Sequence, residues 1–142
     1  MYSGKYGDTI AFRFVAGEDV HETLLALCRQ CGVEGAYVAS GIGMLADPEL
    51  GYFVGEGRYE RRVISGRFEL LALQGNVSLR DGEPMAHLHA MLAKEDLGVF
   101  GGHLFAAKVG LTLEGALGVV GKPVRMYRVL EAETGLPGLI VE

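Results

Sequence analysis

Hydrophobic residues recur along this chain in short runs, several of them alternating with polar residues, and the runs are cut by Gly, Asp-Gly or Pro. Alternation with a period of two puts successive side chains on opposite faces of an extended backbone, so each run reads as a strand. The runs are DTIAFRFV, GAYVASGI, LGYFVG, RRVISG, FELLALQGNVSL, MAHLHAMLA, GVFGGHLFAA, VGLTLEGAL and VRMYRVL. One segment, GEDVHETLLALCRQCGV, has a different period: Val20, Leu24, Leu27, Cys28 and Cys31 recur at helical spacing. Asp19 is its expected N-cap, with Glu22 three residues on, and Gly32 is its expected stop.

A single helix among many strands predicts an α+β fold. Parallel pairing would need a crossover of about a dozen residues each time, so the sheet is expected to be mostly antiparallel. The chain contains 22 glycines, and glycines inside strands mark bulges, sharp bends or close backbone approach. The expected sheet is therefore strongly curved or barrel-like. A length of 142 residues suits one domain, spanning 1–142.

Composition modifies this picture in three ways. Hydrophobic residues make up 49% of the chain, oily for a domain so small, so some apolar surface is expected between subunits. The glycine-rich strand around Gly101 and Gly102 and the run ALGVVG (116–121) are the candidate contacts, with ordinary core packing as the equal alternative. The formal net charge of −5 repels a phosphate backbone unless basic residues cluster locally, which disfavours DNA as a partner. The N-terminus lacks a signal-peptide pattern and no apolar run reaches the ~20 residues of a membrane span, so a cytoplasmic location without membrane association is expected.

The chemistry concentrates in AHLHAMLAKEDLGVFGGHLFA (86–106), which holds His87, His89 and His103, three of the four histidines. On a strand, His87 and His89 share one face while Leu88, Ala90 and Leu92 take the other. The next strand returns after AKEDLG. A three-residue loop centred on Asp96 sets His103 directly across from His89 on the histidine face. A four-residue loop sends it to the other face, unless a bulge at Gly101-Gly102 restores the parity. Three converging neutral imidazoles suit Zn²⁺ or another late first-row divalent ion, with Glu114 or water completing the shell. The alternative is a pair of outward polar residues with His103 merely nearby.

Other candidates carry less. Cys28 and Cys31 form a CxxC, but near the helix C-terminus, where the dipole disfavours a thiolate, so a buried structural pair is expected. Ser40 in VASGIG lacks a nucleophile elbow and reads as a tight strand end. Arg58, Arg61 and Arg62 in RYERR are diluted by Glu56 and Glu60 and read as a solvated edge strand. His21, in the first turn of the helix, is expected to be exposed.

GRFELLALQGNVSL (66–79), HLHAML, GVFGGHL and TLEGAL together resemble the plants-and-prokaryotes conserved (PPC) domain, and the resemblance spans nearly the whole chain. The plant form is appended to AT-hook DNA-binding proteins. The stand-alone prokaryotic form carries H-x-H and GGH where this chain has His87, His89 and His103. The resemblance implies an antiparallel-sheet α/β fold, a homotrimer and a metal site at those three histidines. It also brings a DNA-binding label, yet the AT-hook core Arg-Gly-Arg-Pro is absent, and GKPVR (121–125) does not replace it.

Three functions are thus in competition. The leading one is a stand-alone, homotrimeric PPC-domain binding or assembly module with a three-histidine divalent metal site, zinc above others. The second is a DNA-binding regulator, which needs a basic face from Arg58, Arg61, Arg62, Arg67, Arg80, Lys122 and Arg125. The third is a metal-dependent enzyme in which a zinc-bound water is the nucleophile and Glu114 the base.

Overall fold

In the computed structural model, which describes residues 1–142, nine strands and one helix follow in the order β1 (Tyr2–Tyr6), β2 (Thr9–Val15), α1 (Val20–Gln30), β3 (Ala36–Gly55), β4 (Arg58–Val63), β5 (Arg67–Arg80), β6 (Glu83–Ala93), β7 (Val99–Val119), β8 (Met126–Leu130) and β9 (Pro137–Val141). The helix forms where cap and periodicity coincide. The Asp19 carboxylate accepts the backbone N–H of Glu22 at 3.1 Å. At the far end Gly32 takes φ +64°, and the N–H groups of Gly32 and Val33 donate to the carbonyls of Arg29 and Cys28, closing the last turn. Val20, Leu24, Leu27 and Cys28 are the buried face.

β3 and β7 are 20 and 21 residues long, and each fuses two of the expected runs into one strand. They stay continuous because the chain bends within them. The β3–β7 register shifts at Val38/Ser40, Gly43/Leu45, Ala46/Glu49 and Glu49/Leu50, and each shift adds curvature without ending the ladder. Ser40 accordingly lies inside β3 at an irregularity, not at a strand end.

The curvature closes the sheet. β3 pairs with β5, β5 with β6, β6 with β7 and β7 with β3, all antiparallel. β2 and then β1 extend from β7, β4 extends from β3, and the β8–β9 hairpin joins β5 through one parallel pairing, Leu79 with Tyr127. The fold is therefore α+β, with one main helix and a strongly curved, mostly antiparallel sheet. β1 and β9 lie outside the expected runs: β1 is exposed throughout, and β9 opens on a proline.

The core joins Leu24, Leu27 and Cys28 of the helix to Ile10, Phe14, Leu45, Leu88, Leu92, Leu104, Leu113 and Leu117 of the sheet. Within ALGVVG, Leu117 is fully buried in the core, while Ala116, Gly118, Val119 and Val120 are half-buried. At Gly101 an added Cβ would overlap the Ala90 carbonyl of the paired strand. Contacts within the chain therefore account for that glycine.

Candidate metal centre

The β6–β7 hairpin builds the site. Ala93 pairs with Val99, and the Lys94 N–H donates to the Gly98 carbonyl, leaving Glu95, Asp96 and Leu97 as the loop. Leu97 takes φ +64° and the Asp96 carboxylate caps the Gly98 N–H at 2.9 Å, the turn chemistry of a three-residue hairpin. That loop length sets the parity, so His89 and His103 are direct cross-strand partners. No bulge intervenes at Gly101-Gly102.

The three rings converge. His87 lies 4.9 Å from His103 and 5.2 Å from His89 between ring centroids, and His89 lies 5.2 Å from His103. Ligand nitrogens from all three lie within 4.8 Å of one another. The Nε2 atoms of His87 and His89 are 3.2 Å apart. Two nitrogens bound to one tetrahedral zinc at 2.0–2.1 Å stand about 3.3 Å apart, so this pair already has the spacing of a tetrahedron edge. The Nδ1 of His103 is buried with no hydrogen-bond partner. Three imidazoles with such a spacing and an orphaned ring nitrogen fit a late first-row divalent ion.

The surroundings fix the rings. His103 pairs with Gly51 of β3 on its other side and lies against Phe105 and Tyr59, at ring-centroid distances of 4.4 and 5.0 Å. An added Cβ at Gly51 would overlap the Phe105 ring, so this glycine makes room for the aromatic wall. The Arg61 guanidinium covers Phe105 at 3.9 Å from the ring centroid and bonds Glu49 through two 2.8 Å hydrogen bonds. On the far side, Arg128 of β8 places Nη2 3.2 Å from the Nδ1 of His87. Phe105 stands two residues from His103 on the same strand, a local relation of the kind that joins His87 to His89, whereas Gly51, Tyr59 and Arg128 carry no signal in the sequence, because they reach the histidines through non-local pairing.

Burial is the main cause lowering the basicity of His87 and His103. It pushes the pKa of His87 below the ordinary imidazole value, with the positive charges of Arg128 and His89 adding to the effect. His103 is pushed down to about 4 by burial first, then by His87, His89, His21 and Arg61. His21 is lowered by burial as well. Above the unfolded imidazole value of ~6.5 both folded and unfolded chains hold these rings neutral. Below it the unfolded chain takes up protons that the folded chain refuses, so stability falls as pH drops, until His103 itself protonates near 4. The melting temperature of metal-free protein is expected to decline from pH 7 to pH 4.5, and the decline should be shallower in His103→Gln.

Several sequence expectations change here. Glu114 is not at the site: it accepts a hydrogen bond from Thr112 at 3.3 Å and stands 3.9 Å from Arg13 of β2. β7 runs eleven residues from His103 before reaching it and bends on the way. His21 is half-buried rather than exposed, with its Nδ1 buried and unpartnered, because α1 packs on β6 and β7. Cys28 is buried as expected, and burial raises its thiol to about 11, which leaves it inert at neutral pH. Cys31 is a half-buried free thiol.

Residues 1–120 match the Plants and Prokaryotes Conserved domain model. The chain belongs to this family. Among solved structures, a PPC protein from Pyrococcus horikoshii is 34% identical, with a TM-score of 0.82 over 96% of this chain and 93% of that one. A protein from Archaeoglobus fulgidus, named as metal-containing, is 29% identical, with a TM-score of 0.84 over 96% and 95%. A Bacteroides thetaiotaomicron protein, provisionally named as DNA-binding, has a TM-score of 0.90 over 98% and 96%, but at 21% identity it shares the fold alone. No curated protein sequence matches the chain.

Proposed function

We propose that this PPC-domain protein is a homotrimeric cytoplasmic module that holds one divalent ion, zinc, in each subunit through His87, His89 and His103. The observation that carries the reading is the convergence of three imidazoles, two of them with Nε2 atoms 3.2 Å apart. The metal-containing relative from Archaeoglobus fulgidus supports it. When bound, the ion would supply a fixed positive charge with one open coordination position. The chain's own contribution is to hold two rings on one strand face and the third across the hairpin, backed by Tyr59 and Phe105. Metal analysis of protein purified without chelator or nickel column tests the reading, with about one ion per chain expected. Metal-free protein that takes up no zinc on titration would remove it.

Exposed apolar side chains favour self-assembly. Ile42, Leu71, Met91 and Val99 are exposed on β3, β5, β6 and β7, strands that neighbour one another in that order. Closed threefold symmetry covers such a surface without a free end. Light scattering should give three times the 15.2 kDa chain mass. Ile42→Glu, at a site 54% exposed within the subunit, should shift the protein to monomer while leaving it folded. A wild-type monomer at micromolar concentration would refute the assembly.

The arginines do not favour the DNA-binding alternative. Arg58, Arg61, Arg62, Arg80 and Arg125 are each within 4 Å of a carboxylate, namely Glu56, Glu49, Glu60, Asp81 and Glu142. Such exposed pairs are individually weak, but they cancel the local field that a phosphate backbone needs. An anisotropy titration with duplex DNA at physiological salt is expected to show no binding below about 10 μM. Sub-micromolar binding with a steep salt dependence, lost in Arg61→Glu, would reverse the ranking. The enzyme alternative loses its base with Glu114 placed elsewhere. No helix is long and apolar enough to cross a membrane.

A further inference from the structure

Arg128 lies outside the 120 residues that the family model covers, and it is the one cation bonded to the histidine cluster. Its guanidinium is held by neutral groups. Nε donates to the Ser78 hydroxyl at 3.1 Å, Nη1 to the Pro137 carbonyl at 2.8 Å, and Nη2 to the Asn76 side-chain oxygen at 2.8 Å. Nη2 also stands 3.2 Å from the Nδ1 of His87. These bonds tie β8 to β5 and aim a donor at a ring that faces the other histidines through its opposite nitrogen.

A guanidinium can only donate, so the Nδ1 of His87 must accept. A neutral imidazole has one lone pair and one N–H, so the proton of His87 is then on Nε2. That proton points at the Nε2 of His89, 3.2 Å away, which accepts it. The polarity of the whole relay, Arg128 to His87 to His89, is fixed by its first member. Turning the His87 ring over would put carbons where Arg128 and His89 now find nitrogens, so the bonding cannot be kept that way.

Ligation reverses this requirement. A metal at Nε2 needs the lone pair there, and a metal-bound histidine ordinarily donates its other N–H to a carbonyl or carboxylate. Here that position is occupied by a donor. Resting on the metal reading above, we propose that Arg128 is a positioning residue that locks His87 in its Nε2–H form and so opposes divalent metal at the site. For an ion to be held at Nε2, His87 would have to give that proton to water and take one from water at Nδ1, and the Arg128 bond to Nδ1 would have to be given up.

Two measurements test this. Long-range ¹H–¹⁵N correlation spectra of metal-free protein should place the His87 proton on Nε2 in the wild type and shift it toward Nδ1 in Arg128→Met. Competition against a chromophoric chelator should show zinc bound about tenfold more tightly by Arg128→Met, since removing a mismatched outer partner acts on the scale of other outer-shell changes. Met126→Ala, at a buried residue of β8 that makes no bond to Arg128, loosens the packing of that strand while leaving the guanidinium and its partners in place, and its zinc affinity should match the wild type. A wild-type His87 proton on Nδ1, or a folded Arg128→Met that binds zinc no more tightly, would overturn the proposal. Equal tightening by Met126→Ala would also overturn it, because the effect would then be loosened packing. If neither protein takes up zinc, the three-histidine metal reading fails and the competition with it, while the spectra still decide the tautomer separately.

Discussion

His103→Ala is expected to lower zinc affinity at least a hundredfold, on the order of the largest losses seen when even the outer partners of metal ligands are removed. The loss should be shared by His87→Ala and His89→Ala, because each removes one of only three protein donors within reach of a common ion. His103 is firmly held in place. Its strand pairs on both sides, with His89 of β6 and Gly51 of β3, and its ring rests on Tyr59 and Phe105. Little reorganisation is therefore available to supply a substitute ligand. His21→Ala is the matched control, since His21 is a half-buried histidine outside the converging set. Equal metal content in the wild type and the three alanine variants would sink the site.

The centre of this candidate site was legible in the sequence, and its walls, Phe105 apart, were not. His87 and His89 share a face because a strand has a period of two, and His103 joins them because a loop centred on Asp96 fixes the parity. Both inferences are local, covering seventeen consecutive residues. Arg128 reaches His87 across 41 residues, through a parallel pairing of β8 with β5 that no alternation predicts. The misplacement of Glu114 has the same origin. Reading β7 as two runs hid a bend that carries its second half away to Arg13 of β2. The half-burial of His21 is likewise not local, since helical spacing says which face is apolar but not which strands it will pack on. The helix itself, cap to stop, was fully written in residues 19–32.

Leu88→Ala should cost about 2–5 kcal/mol, against a total stability of roughly 5–15 kcal/mol for a domain of this kind. Leu88 is 0% exposed and belongs to the main core, yet its neighbours on either side are His87 and His89, on the opposite face of β6. Adjacent positions thus separate stability from ligation. Without metal, Leu88→Ala should melt roughly 10 °C below the wild type, while His89→Ala, on an exposed side chain, should stay within about 0.5 kcal/mol of it. Zinc at a hundred times its Kd should stabilise both the wild type and Leu88→Ala by about 2.7 kcal/mol, because an ion that binds only the folded form shifts the equilibrium by mass action. His89→Ala should gain almost nothing. Calorimetric scans of the three proteins at one chain concentration, with and without zinc, check the whole pattern. A Leu88→Ala protein as stable as the wild type would mean that β6 does not face the core as described, and a zinc-induced rise in His89→Ala equal to that of the wild type would mean that the ion binds elsewhere.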